Sequence, residues 1–394
     1  MRPVYVDNNA TTRTDPDVVA AMLPHLTEDF GNPSSGHDLG AVAAVAVRAA
    51  RQKVQALLGA LCEEEIVFTS GGTESNNAAL LQACERGEGR NELIVSAVEH
   101  PAILAVCHAM EKNRGIKVHR IAVDGKGRLD LAGYTRVLGR RTALVSMMWA
   151  NNETGTIFPI ADLAQMAHEA GALFHTDAVQ AAGKIAIDLK ATNVDLLSLS
   201  GHKIHGPKGI GVLYVRKGVT FTPLLRGGHQ ERARRGGTEN VPAIVGLGKA
   251  AELAEARRPR NAARIKALRD DFEALVLACV EDSFVNGDVE HRLPGTSSMA
   301  FDGAESEAIL FHLNKAGIYA SAGSACTSGA MEPSHVLRAM KLPYTAAHGV
   351  IRFSFSRDNS PADVARVLDV LPAIVAKARA VSPFAGSRRV AASA

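Results

Sequence analysis

At 394 residues the chain is long for a single hydrophobic core, and two domains are the first expectation. Hydrophobic residues make up 46% and charged residues 22%, ordinary proportions for a soluble α/β protein. A net charge of +3 without a long basic run argues for no nucleic-acid and no membrane-surface partner.

The first residues, Met1 to Thr12, lack the apolar core of a signal peptide, and no later segment approaches the ~18 apolar residues of a membrane span. A cytoplasmic protein is expected. From about residue 65 to 216, short apolar runs alternate with amphipathic segments. The runs at 66–69, 93–96, 117–123, 143–149, 173–175, 196–199 and 211–215 predict strands. Segments 73–85, 101–113, 131–138 and 160–170 predict helices. Such alternation implies a mostly parallel sheet covered on both faces. A charged stretch at 254–269 carries a long helix that leaves this unit. Beyond it, 296–301, 317–320 and 350–355 predict strands of a smaller α+β unit. The small, polar residues 383–394 predict a frayed end.

Five cysteines occur, and no two stand at a C-x-x-C or zinc-ligand spacing, so side-chain spacing gives no metal site. Cys62, Cys84, Cys107 and Cys279 lie among helix-forming neighbours and are expected as small buried hydrophobes. Cys326 differs. Gly323, Ser324, Ala325, Thr327, Ser328 and Gly329 surround it, and they cannot pack a core.

Three further constellations could carry chemistry. In the first, Thr69-Ser-Gly71-Gly72-Thr73, a strand ends, two glycines turn and a helix begins. Free backbone N–H groups and the helix dipole there suit a phosphate, although a glycine turn opening an ordinary helix reads the same way. In the second, Asp177 follows an apolar run and is joined by Gln180. A carboxylate at the end of a parallel strand faces the crevice where α/β sheets bind ligands; the plain alternative is a helix N-cap. In the third, Ser200-Gly-His202-Lys203 puts an amine at a strand end, where it can form an imine with an aldehyde cofactor. An amine, an acid and phosphate-binding groups on one sheet are what a pyridoxal phosphate pocket needs.

The chain resembles the cysteine desulfurases, pyridoxal phosphate enzymes of the aminotransferase fold, and most closely the nitrogenase-associated NifS type. The resemblance runs nearly end to end. It is carried by Tyr5-Val-Asp-Asn-Asn-Ala-Thr-Thr12, Gly31-Asn-Pro-Ser-Ser35, Thr69-Ser-Gly-Gly-Thr-Glu-Ser75, Glu99-His100, Trp149-Ala-Asn-Asn-Glu-Thr-Gly155, His175-Thr-Asp-Ala-Val-Gln180, Ser198-Leu-Ser-Gly-His-Lys203, Arg234-Arg-Gly-Gly-Thr-Glu-Asn240 and Gly323-Ser-Ala-Cys-Thr-Ser-Gly329. It implies fold type I: a large cofactor-binding domain at 15–255 with a mostly parallel seven-stranded sheet. A small α+β domain, 1–14 with 256–394, would carry a mobile cysteine loop at about 321–333.

The resemblance also assigns roles. Lys203 would hold the cofactor as an imine, Asp177 would pair with its pyridine nitrogen, and Gln180 would bond its ring hydroxyl. Gly72, Thr73, Ser200 and His202 would hold the phosphate, with Thr238 from the other subunit of a homodimer. His100 would stack on the ring and move protons. Asn152 would reach cofactor and substrate, and Arg352 the substrate carboxylate through a two-pronged salt bridge. Cys326 would take sulfur from L-cysteine as a persulfide, leaving L-alanine, so the implied enzyme is a sulfurtransferase. An iron–sulfur scaffold of the NifU type would receive the sulfur, with Cys326 in transient contact with a cluster, in the service of nitrogenase. A selenocysteine lyase or another carbon–sulfur lyase of the same fold is the alternative.

Overall fold

The computed structural model describes residues 2–85, 89–323 and 332–384. In chain order its strands are β1 (Val4–Tyr5), β2 (Ile66–Thr69), β3 (Glu92–Ser96), β4 (Lys117–Ile121), β5 (Thr142–Ser146), β6 (Leu173–Asp177), β7 (Leu196–Ser200), β8 (Gly211–Val215), β9 (Ser283–Asn286), β10 (Thr296–Phe301), β11 (Ile318–Tyr319) and β12 (Val350–Ser354). Seven of them form one sheet in the order β2-β8-β7-β6-β5-β3-β4. Only β8 is reversed, pairing antiparallel with both β7 and β2.

The sheet is apolar on both faces because its strands alternate between two cores. Phe68, Ile94, Val145, Phe174, Leu197 and Val212 point into one cluster. Their neighbours Val67, Leu93, Leu144, Leu173, Leu196 and Leu213 point into the other. Helices Asp38–Leu58, Ile160–Glu169 and the start of Val241–Cys279 cover the first face. Gly72–Leu81 and Pro101–Arg114 cover the second. This is the two-sided burial that continuous β-branched runs demand.

A second core gathers around β12-β10-β9, an antiparallel sheet. The N-terminal β1 joins it by pairing in parallel with β11, and Val4 and Val6 sit in that core. One 39-residue helix, Val241–Cys279, connects the two. Its first half buries Ile244, Leu247 and Ala251 in the large core, and its second half buries Leu268, Phe272 and Val276 in the small one. Pro259 stands between the halves.

Several sequence expectations need correction. Helices Pro16–Met22 and Asp38–Leu58, and strand β9, add to the elements named from the sequence. Strand β5 is bounded at Ser146, although Met147 N and Trp149 N go on donating to the β6 oxygens of His175 and Asp177 at 3.1 and 2.9 Å. Of the four cysteines expected to be buried, only Cys107 is. Cys279 is exposed at the last position of its helix, and Cys62 and Cys84 are half-buried in short turns. Among the described residues no helix is long and apolar enough to cross a membrane.

Candidate active site

The carboxyl ends of β2, β3, β6 and β7 converge on one cleft of about 260 Å³. Gly72, Thr73, Asn76, His100, Asn152, Asp177, Gln180, Ser200, His202, Lys203 and Arg352 line it, together with Asn9 and Ala10. Of the twelve residues expected from the sequence, ten therefore meet in this cleft. Cys326 lies outside the described residues. Thr238 is exposed and does not line the cleft of its own chain.

At one end, helix Gly72–Leu81 starts directly after β2, so its unpaired N–H groups face the opening. A methyl group at Gly72 would lie 2.8 Å from Val179 Cγ2, so no larger residue fits there without displacement. Ser200 ends β7 opposite this helix start, and His202 follows within the short turn Gly201–Lys203. Burial, with Lys203 and Lys208 nearby, pushes His202 down to about 4, so its ring is neutral at physiological pH. These groups can cradle a phosphate ester.

Deeper in the cleft, Asp177 closes β6 as a buried carboxylate. Asn76 Nδ2 donates to Asp177 Oδ2 at 2.7 Å, and Val179 N donates to Oδ1 at 3.0 Å. The N-cap alternative fails, since no α-helix follows Asp177. Lys203 Nζ donates to the main-chain oxygens of Asn9 and Ala10 at 2.5 and 2.7 Å. Gln180 Nε2 donates to the same Asn9 oxygen at 3.0 Å. An acid that can hold a proton on a ring nitrogen and an amine for an aldehyde thus share one pocket.

His100 caps helix Pro101–Arg114, its Nδ1 accepting from Ala102 N at 3.1 Å. That bond makes Nδ1 the unprotonated nitrogen and leaves Nε2 as the exchangeable site. Burial lowers the pKa of the ring; Asp177 opposes this, while Lys203 and His335 reinforce it. Glu99, one residue earlier, is fully buried and pushed up to about 8, chiefly by burial, so it is a neutral acid. Ser96 Oγ at 2.6 Å and Met148 N at 2.9 Å donate to its Oε1.

Arg352 enters from the middle of β12 and is 2% exposed. Its guanidinium donates to Asp7 Oδ1 at 2.8 Å and to Asn152 O at 3.0 Å. Each terminal nitrogen keeps a second N–H, so two prongs remain for a carboxylate. Gly323 and Ser334 both meet Glu153. Ser334 Oγ donates to its Oε2 at 2.6 Å, and a methyl group at Gly323 would lie 2.8 Å from that oxygen.

The sequence reading gave no role to Asn76, Asn9, Asp7 or Lys184. Asn76 had one available signal, standing one helical turn after Gly72 and so on the same helix face. Among the described residues no three His, Cys, Asp or Glu side chains group as a metal site.

Comparison with known proteins now places the chain. The family model of the class-V aminotransferases matches residues 4–367, and the chain belongs to that family. Within it, the chain is 62% identical over 384 residues to a cysteine desulfurase of Gluconacetobacter diazotrophicus, covering 98% of this chain and 96% of that protein. It is 55% identical to the cysteine desulfurase NifS of Azotobacter vinelandii, covering 98% and 95%. A solved NifS-like protein superposes with a TM-score of 0.89 at 36% identity, covering 95% of this chain and all of that one. The seven-stranded sheet with its smaller α+β partner is accordingly fold type I.

Proposed function

We propose that the protein is a pyridoxal phosphate-dependent cysteine desulfurase, a sulfurtransferase that converts L-cysteine to L-alanine and carries the sulfur as a persulfide on Cys326. One observation carries this reading: amine, acid, phosphate cradle and buried arginine all line a single cleft, in a chain whose relatives bear that name.

Bound in this cleft, pyridoxal phosphate supplies an electron sink for the α-carbon of an amino acid. Every other step belongs to the chain. Helix start Gly72–Thr73, with Ser200 and His202, holds the phosphate. Asp177, fixed by Asn76, keeps a proton on the ring nitrogen, and Gln180 donates to the ring hydroxyl. Arg352 and Asn152 orient the substrate carboxylate. Lys203 Nζ holds the cofactor between turnovers and takes the α-proton when substrate arrives. His100 Nε2 moves protons, its neutral ring suiting a base near neutrality. The Cys326 thiolate attacks the substrate sulfur: an S–S bond forms, the Cβ–S bond breaks, and its electron pair returns to the carbon skeleton, which is protonated to alanine.

A homodimer is part of the proposal. Leu23, Leu26, Phe30 and Val45, all in the N-terminal helices and the loop between them, are 53–69% exposed, and large apolar side chains left this open favour a covering partner. Exposed Thr238 would then serve the neighbour's phosphate site. We place the division between the large and small domains near residues 14 and 255, where the long helix changes cores. The acceptor is proposed to be a NifU-like iron–sulfur scaffold in the cytoplasm, working for nitrogenase, a reading supported by the similarity to NifS.

The test is sulfide released from L-cysteine with a reductant, for the native chain and Cys326→Ala. Loss of cysteine turnover in the variant is expected. A variant that keeps turnover of selenocysteine or cysteine at the native rate would replace this reading with a lyase.

A further inference from the structure

Lys184 lies outside the reaction cleft, in a second cavity of about 70 Å³ between the two cores, which Asn9 and Lys203 also line. From there its Nζ donates to Gln180 Oε1 at 2.6 Å and to Asn9 Oδ1 at 3.0 Å. Gln180 Nε2 in turn donates to Asn9 O at 3.0 Å. Which end of an amide is oxygen is normally assigned from its surroundings. Here both ends agree. A main-chain carbonyl only accepts, so the Gln180 nitrogen faces Asn9 O and its oxygen is left to receive the Lys184 amine.

We infer that Lys184 is a positioning residue: acting through Gln180 and Asn9, it turns the Gln180 amide so that an N–H, and not the oxygen, is presented to the cofactor's ring hydroxyl. The inference rests on the reading that the cleft holds pyridoxal phosphate with that hydroxyl at Gln180. Without Lys184 only the Asn9 carbonyl would hold that orientation, and a flipped amide would turn its oxygen on the ring oxygen and repel it. Burial, then Lys203 and Arg352, push Lys184 down to about 7. The geometry tolerates this, since a neutral amine keeps two N–H groups for its two acceptors. The other titratable or charged groups along the cavity wall are His205 and Arg357, and no carboxylate lines it.

The consequence is legible at Lys203 Nζ. A donor on the ring oxygen disfavours a proton shared between Nζ and that oxygen. Removing Lys184 therefore raises the pH at which this proton leaves. The experiment loads native, Lys184→Met, Lys184→Arg, Gln180→Ala and the Lys184→Met/Gln180→Ala chain with pyridoxal phosphate and titrates the cofactor's absorbance against pH. Lys184→Gln runs in parallel as a second neutral variant. Lys184→Met and Lys184→Gln should move the midpoint upward by about 0.5 unit or more, roughly the worth of one hydrogen bond. Lys184→Arg, which keeps the donors, should stay near native. In the Gln180→Ala background the Lys184→Met shift should shrink toward zero. An unmoved midpoint, or a shift that persists in full without Gln180, overturns the inference. A native chain that forms no lysine-bound chromophore overturns instead the cofactor reading beneath it.

Discussion

Glu99 offers the sharpest link between burial and pH. Its carboxyl is fully buried and pushed from 4.5 up to about 8, mainly by burial, with Asp177 adding to the effect. Below about pH 4.5 both folded and unfolded chains hold the proton, and Glu99 leaves stability unchanged. Above that, the unfolded chain ionises while the native one keeps its proton. The unfolded state then binds fewer protons, so stability falls by about 1.4 kcal/mol per pH unit until the folded pKa near 8 is passed. Across the whole interval the loss is on the order of 5 kcal/mol. Glu99→Gln keeps the shape and an acceptor for Ser96 Oγ and Met148 N, but it cannot titrate. Urea unfolding of both proteins at pH 5, 6, 7 and 8 reads the difference as a change in midpoint at constant m. The variant should gain on the native chain steadily toward pH 8, because every other titrating group is common to both. Parallel stability curves would show that Glu99 is ionised in the native state, and the account of a neutral acid beside the cleft would fall. Neutrality matters to function, since an ionised Glu99 would put a second negative charge near Asp177.

Two substitutions probe the supports of the site. Asn76→Ala removes the 2.7 Å donor to Asp177, and a hydrogen bond to a charged group is worth about 1.5–3 kcal/mol. Turnover of L-cysteine should drop roughly ten- to hundredfold with the thermal midpoint little changed; native turnover would deny Asn76 its role. Asp7→Asn weakens the hold on Arg352, and about 1.4 kcal/mol of lost carboxylate binding corresponds to a roughly tenfold rise in KM for L-cysteine. A kcat that falls in step, with KM unmoved, would show that Asp7 serves something other than substrate binding.

What the sequence made legible follows from the range of each interaction. The strands of the large sheet stood out because both their faces are buried, so each is a short unbroken apolar run. Lys203, Asp177 and Gln180 stood out because polar residues at the ends of such runs have no packing reason to be there. Helix Asp38–Leu58 escaped because Gly40, Ala43, Ala50 and Arg51 make up half of its buried face, leaving Val47, Val54, Leu57 and Leu58 spread thinly over 21 residues. The cysteine expectation failed at Cys279 because helical neighbours say that a residue is helical, not which side of the helix it occupies. Lys184 gave no signal at all. Its partner Asn9 is 175 positions away, and a lysine after a glycine turn looks like any solvated surface charge.

Residues 7–10 show why such partners matter. Arg352 belongs to the small core and Lys203 to the large one, yet both must meet a single substrate to within a fraction of an ångström for the proposed chemistry to proceed. The N-terminal segment spans that seam. Asp7 holds the Arg352 guanidinium, while the main-chain oxygens of Asn9 and Ala10 receive Lys203 Nζ. Asn9 adds side-chain bonds to Thr296 Oγ1 at 2.9 Å and to the Asn152 oxygen at 3.1 Å, and its own N–H donates to Ser354 Oγ at 2.9 Å. The N-terminal segment is therefore part of the small core by packing, through Val4 and Val6, and part of the cleft by hydrogen bonding, through residues 7–10. Much of this registry runs through backbone carbonyls, which every residue type possesses. That is why it leaves so little trace in the amino-acid sequence and becomes visible only once the chain is folded.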